Sequence, residues 1–88
     1  MLQSKSSGEI LLTEKIMRLL NEKFEVEIPS TDIHLIENGF IDSLRFIQLI
    51  TILEDEFEIS VSIEDLDFER FSTIENISVF VMNRLSQS

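Results

Sequence analysis

The residues best suited to chemistry are Asp42 and Ser43, in the hexapeptide Gly39-Phe40-Ile41-Asp42-Ser43-Leu44. They stand where an amphipathic helix begins. Asp42 is a good helix N-cap because its carboxylate can accept hydrogen bonds from the first free amides, which leaves Ser43 in the first turn with its hydroxyl near solvent. A phosphate on Ser43 would meet unpaired N–H groups and the positive end of the helix dipole. This is a suitable place to attach a phosphodiester, although serine is also an ordinary first-turn residue.

Other candidates carry less. His34 is the single histidine, and no Gly-x-Ser-x-Gly elbow surrounds Ser43, so a hydrolytic nucleophile lacks its base and its oxyanion pocket. Asp65-x-Asp67-x-Glu69 alternates carboxylates but lacks the glycine and terminal glutamate of a calcium loop, so no metal site is expected. Asn76-Ile77-Ser78 formally matches a glycosylation sequon, yet falls inside an expected helix.

Eighty-eight residues make one small domain, burying roughly 60–65% of its unfolded surface. The absence of cysteine excludes disulfides and thiolate metal sites. No apolar run is long enough to span a bilayer and the amino terminus has no signal-peptide core, so a soluble, cytoplasmic protein is expected. The formal net charge of -10, from 17 acidic and 7 basic residues, disfavours nucleic acid and anionic membranes as partners.

Residues 1–8 read as a flexible leader, 9–85 as a single domain and 86–88 as a polar tail. From Glu9 to Phe24, apolar Ile10, Leu12, Ile16, Met17, Leu19, Leu20 and Phe24 recur at helical spacing. Pro29-Ser30-Thr31-Asp32 then breaks the pattern and opens a long connection to Gly39, whose Ile33, Leu35, Ile36, Phe40 and Ile41 should pin it to the core. Over residues 44–58 a helical wheel places Phe46, Leu49, Ile50, Leu53 and Phe57 on one core-facing arc. Leu44, Ile47 and Ile52 fall on or beside the opposite face, with Gln48, Thr51 and Asp55. An apolar strip starting beside Ser43 reads as a docking surface.

Ile59-Ser60-Val61-Ser62-Ile63 alternates, but a lone strand has nothing to pair with, so an extended linker anchored by Ile59 and Val61 is expected. Ser62-x-x-Asp65 suggests a short third helix. Ser72-Thr73-Ile74-Glu75 matches a capping box, with Ser72 as cap and Glu75 reaching back, before the stripe Ile74, Ile77, Phe80, Val81 and Leu85. The fold class is all-α: a four-helix bundle with a long loop between its first two helices and a short third helix.

Gly39-x-x-Asp42-Ser43-Leu44, the helix ending Leu53-Glu54-Asp55-Glu56-Phe57-Glu58-Ile59, the short Ile59/Val61 segment and the terminal helix occur in an order that resembles the acyl, peptidyl and D-alanyl carrier proteins, from about Ile10 to Leu85. The resemblance implies a four-helix bundle of the acyl-carrier-protein type. It implies that Ser43 is esterified with 4'-phosphopantetheine from coenzyme A, that Asp42 belongs to the attachment motif, and that cargo rides the terminal thiol as a thioester. The carrier would have no catalytic residue of its own and would act as a monomer. Its implied partners are a phosphopantetheinyl transferase, an acyl- or aminoacyl-activating ligase or synthase, and a downstream transferase or condensing enzyme, docking at Leu44, Ile47, Gln48, Thr51 and Asp55. The acids Glu54, Asp55, Glu56 and Glu58 could steer basic enzyme surfaces, or form only a solvated helix end.

Fatty-acid-synthase carriers usually have an acidic or small polar residue after Asp-Ser-Leu and a glutamate three residues further on, where this chain has Arg45 and Gln48. Its Asp65-Leu66-Asp67-Phe68-Glu69-Arg70-Phe71 segment is also longer and more aromatic. The chain looks more like discrete aminoacyl, D-alanyl or specialised-metabolism carriers. The alternative is an unmodified acidic helical adaptor that binds a partner through its second helix.

Overall fold

The computed structural model describes residues 7–86. The expected leader (residues 1–6 of it), the side chain of Ile10 and the tail residues Gln87 and Ser88 lie outside the described residues. Three α-helices, α1 (Ser7–Phe24), α2 (Ser43–Phe57) and α3 (Ile74–Ser86), and one 3-10 turn (Ile63–Asp65) form an all-helical domain without strands among the described residues. Helical structure therefore already includes Ser7, Gly8 and Ser86.

The apolar spacing of α1 becomes one buried stripe, Leu12, Ile16, Leu20 and Phe24. Phe46, Leu49, Ile50 and Leu53 form the core face of α2, with Phe57 half-buried at its end, and Ile74, Ile77, Phe80 and Val81 that of α3. Leu85, expected on the α3 stripe, remains 43% exposed. α3 packs on both other helices. Phe71, fully buried, sets its ring against Phe46 at 5.7 Å and Phe80 at 5.0 Å between centroids, which carries the core from α2 into α3.

The long loop between α1 and α2 is ordered by hydrogen bonds and burial together. Leu35 and Ile41 are fully buried, and Ile33, Ile36 and Phe40 pack against the core. The Leu35 carbonyl accepts the amides of Phe40 at 2.9 Å and Ile41 at 3.2 Å, closing a turn that requires Gly39 at φ +80. That region suits a residue without Cβ, and it is what sends Ile41 inward and Asp42 outward.

The loop is also tied to α3. The Leu35 amide donates to the Ser72 carbonyl at 2.8 Å, the Glu75 amide to the Thr31 carbonyl at 3.0 Å, and the Thr31 hydroxyl to Glu75 Oε2 at 3.1 Å. Glu75 is thereby drawn away from the helix cap. This corrects the expected capping box: Thr73, not Ser72, caps α3, its Oγ1 accepting the Asn76 amide at 3.0 Å, while the buried Ser72 hydroxyl donates to the Glu69 carbonyl.

The short third helix is a single 3-10 turn, after which residues 66–73 pass through turns. No residue from Ser62 to Arg70 is buried, so a longer helix there would lack the packed apolar face that sustains helices in proteins. The preceding segment is an extended linker as expected, with Ile59 and Val61 packed on the core and the Val61 amide donating to Glu54 Oε2 at 2.9 Å.

Candidate functional site

Asp42 has extended backbone angles, φ -101 and ψ -174, and its Oδ1 accepts the Arg45 amide at 2.8 Å while its carbonyl accepts the Phe46 amide at 2.8 Å. It is the N-cap of α2, as its type and position suggested. Ser43 is the first helical residue and is exposed. Its hydroxyl has no hydrogen-bond partner among the described residues. The amides of Ser43 and Leu44 precede the helix's own ladder, so they face outward as free donors at the positive end of the dipole.

Of the outward residues, Leu44 is 67% and Ile47 54% exposed, and Gln48, Thr51 and Asp55 are exposed beside them. The five residues assigned to partner contact thus share one open face. Ile52 does not join them: it is half-buried and packs on the core. Arg45, the residue that follows Asp-Ser-Leu, turns toward α1. Its Nη1 donates to the Phe24 carbonyl at 3.3 Å and its guanidinium sits 5.4 Å from the Phe24 ring centroid. A free carbonyl at a helix C-terminus is a natural acceptor for such a cation.

The acidic end of α2 divides. Glu54 accepts the Val61 amide and the exposed Glu56 lies 3.5 Å from Lys15 Nζ, leaving Asp55 and Glu58 as its acids without a side-chain partner among the described residues. From Ser43 to Thr51 no charged group is free on the outward face.

Beside Ser43 lies an open cavity of about 260 Å³, lined by Ser43, Phe46, Ile47, Leu66 and Phe68. Phe68 is 54% exposed and its ring centroid is 4.6 Å from that of Phe46. Leu66 and Phe68 were not assigned to the site from sequence, although their aromatic segment stood out. Their approach to Ser43 depends on where the turns after the 3-10 turn lead. An unbonded primary hydroxyl, free first-turn amides and an apolar groove alongside fit a phosphodiester and a flexible arm.

The remaining candidates are engaged elsewhere. His34 Nδ1 accepts the Glu37 amide at 3.1 Å within its own turn. Asp65 Oδ2 accepts the Ser62 hydroxyl at 2.8 Å, the Ser62 amide at 3.2 Å and the Arg84 guanidinium, and Arg70 lies 3.8 Å from Oδ1. The Ser62 hydroxyl first, then its amide and the two arginines, hold the Asp65 carboxyl below its ordinary value against an opposing effect of desolvation. Asp67 Oδ1 accepts the Glu69 amide at 3.0 Å, so the alternating acids stabilise local turns. The Asn76 side-chain amide donates to the Glu69 carbonyl at 3.1 Å and to Ser72 Oγ at 3.0 Å, and Ser78 is buried.

Residues 34–81 match the family model described as a phosphopantetheine attachment site. The chain is 30% identical to the D-alanyl carrier protein of Listeria welshimeri over 66 residues, 73% of this chain and 85% of that one. It is 26% identical to the D-alanyl carrier protein of Abiotrophia defectiva over 77 residues, 85% of this chain and 98% of that one. To that of Lactococcus lactis subsp. cremoris it is 35% identical over 57 residues, 65% and 72% of the two chains. With the helix-capped serine inside the matched region and the likeness running over most of these small relatives, the chain belongs to the family of stand-alone carrier proteins whose prosthetic group is covalently bound 4'-phosphopantetheine.

Proposed function

We propose that Ser43 is the attachment residue and that the chain is an aminoacyl carrier, with D-alanine the favoured cargo. The observation that supports the assignment best is the unbonded, exposed Ser43 hydroxyl at the first position of α2, immediately after the Asp42 cap. The D-alanyl carrier proteins among its relatives support the cargo. Bound 4'-phosphopantetheine supplies a terminal thiol on which an acyl group is held as a thioester.

The chain's own residues present and orient. Ser43 Oγ forms the new P–O bond as the diphosphate of coenzyme A is split, its proton passing to the phosphopantetheinyl transferase and the nucleotide half leaving. Asp42 fixes the first turn, and the first-turn amides stabilise the resulting anionic phosphodiester. Leu44, Ile47, Gln48, Thr51 and Asp55 form the face that meets the transferase, an aminoacyl-activating ligase and a downstream acyl transferase. The carrier is a non-catalytic protein substrate working as a monomer in the cytoplasm. Its carrier domain spans residues 9–85, with the 3-10 turn standing in the place of the third helix of a four-helix carrier bundle. Among the described residues no helix is long and apolar enough to cross a membrane.

Incubation with coenzyme A and a broad-specificity transferase, read by intact mass, tests the site. One phosphopantetheine addition is expected on the wild type and none on Ser43→Ala. No gain on the wild type, or an equal gain on Ser43→Ala, would overturn the assignment and favour an unmodified adaptor binding through α2. Mass spectrometry of protein recovered from its host, with hydroxylamine to cleave thioesters, tests the cargo: an alanyl increment supports this reading and a fatty acyl increment refutes it.

A further inference from the structure

Two matching clamps join α1 to α2. Near the start of α2, Arg45 sits over the Phe24 ring at 5.4 Å and donates to the Phe24 carbonyl at 3.3 Å. At its other end, Lys15 sits 5.4 Å from the Phe57 ring centroid and 3.5 Å from Glu56. The two helices therefore run in opposite directions, with a cation from each set on an aromatic ring of the other. α1 packs most closely on α3, and these side chains add a direct polar connection between α1 and α2 to the core that the helices share.

The clamps differ in what lies beside them. Arg45 is two residues from Ser43, and its own amide donates to Asp42 Oδ1 at 2.8 Å. One residue is thus held by the cap through its backbone and by the end of α1 through its side chain, with Ser43 between cap and grip. Phe46 holds the same turn from the other side, buried against Phe68 and Phe71. Nothing of the kind adjoins Lys15.

We propose that Arg45 is a positioning residue for the modification of Ser43: its grip on the C-terminus of α1 fixes the first turn of α2, so that the serine hydroxyl is offered in one orientation. This rests on the reading of Ser43 as the attachment residue. The partly buried position of Arg45, between exposed Leu44 and buried Phe46, assigns it to the interior connection instead of to the partner-facing surface. An oriented nucleophile shortens the search for a reactive geometry, and small misplacements of such groups slow reactions out of proportion to their effect on binding.

The test measures steady-state phosphopantetheinylation of the full chain by intact mass, for wild type, Arg45→Met, Arg45→Lys and Lys15→Met. Methionine keeps the aliphatic stem and removes the cation. Positioning predicts that Arg45→Met lowers kcat about fivefold to tenfold with KM nearly unchanged, because the interaction lost acts on the reacting geometry. Arg45→Lys should recover part of the rate, and Lys15→Met, which removes the distal clamp, should behave as wild type. Amide hydrogen exchange at Arg45 and Phe46 should accelerate in Arg45→Met while the last turn of α2 stays protected. Three results would overturn the proposal: wild-type kinetics in Arg45→Met, a rise in KM alone with unchanged exchange, which marks direct contact with the transferase, or equal losses in Arg45→Met and Lys15→Met, which mark general stability. Absence of modification in the wild type would instead remove the Ser43 reading on which it rests.

Discussion

Leu44 is the residue through which docking and folding are most cleanly separated. It is 67% exposed, so its replacement touches little of the core and should change stability by no more than about 0.5 kcal/mol. Yet it adjoins Ser43 and begins the uncharged strip that continues through Ile47. If that strip meets the loading ligase, Leu44→Glu should raise KM for loading of the modified protein about tenfold, equivalent to about 1.4 kcal/mol. Loading kinetics unchanged by the substitution would remove Leu44 from the interface. Because Glu56 is paired with Lys15 while Glu54 only accepts a neutral amide, steering by the end of α2 falls to Glu54, Asp55 and Glu58, and loading should weaken as salt rises.

At the level of the elements, both long helices that flank the site end in the same way, and neither ending follows the usual sequence rule. Glu25 at φ 55 and Glu58 at φ 54 take the left-handed conformation that glycine normally supplies. The Val26 amide then donates to the Asn21 carbonyl at 3.2 Å and the Ile59 amide to the Glu54 carbonyl at 3.3 Å, the bonds of a helix stop. A side chain in that region is strained, and a carboxylate at a helix C-terminus opposes the dipole. Glu25→Gly and Glu58→Gly should each stabilise the domain by about 0.5–1 kcal/mol after the greater freedom of glycine in the unfolded chain is counted, measurable by urea denaturation; a loss of stability would refute this account. The connection between α1 and α2 should behave as core, not as loop. Leu35 is fully buried and its carbonyl closes the turn before Asp42, so Leu35→Ala should cost about 2–5 kcal/mol, whereas a cost below about 1 kcal/mol would show a loop that rides on the surface.

For the whole molecule, one ion cluster ties the irregular segment to the terminal helix. Asp65 joins Ser62, Arg70 and Arg84, and its carboxyl is held below its ordinary value. The unfolded chain therefore binds a proton at Asp65 before the folded one does, so the cluster's contribution is complete at neutral pH. It declines as pH falls below the ordinary aspartate value of about 4 and through the lowered one. Asp65→Asn should lose stability at pH 7 and show a flatter acid limb between pH 5 and 2 in urea melts; identical limbs would dissociate the cluster from folding.

Much was legible in the chain because it is local. The stripes of α1, α2 and α3 follow from periodicity, and the Asp42 cap and the exposed Ser43 follow from residue type at a helix start, since capping is decided within four residues. The burial of Leu35 and Ile41 was readable from apolar residues in an otherwise polar loop. What tertiary structure decided are the choices among several available partners. Arg45 stands between the outward and core faces of an isolated helix, but α1 offers it a ring and a carbonyl. Glu75 fits a capping box, but Thr31 arrives from 44 residues away to claim it. Leu66 and Phe68 border Ser43 only because the chain after the 3-10 turn folds back over Phe46. In each case a long-range group competes with a local one, and local pattern cannot rank an acceptor or a surface that only folding brings near.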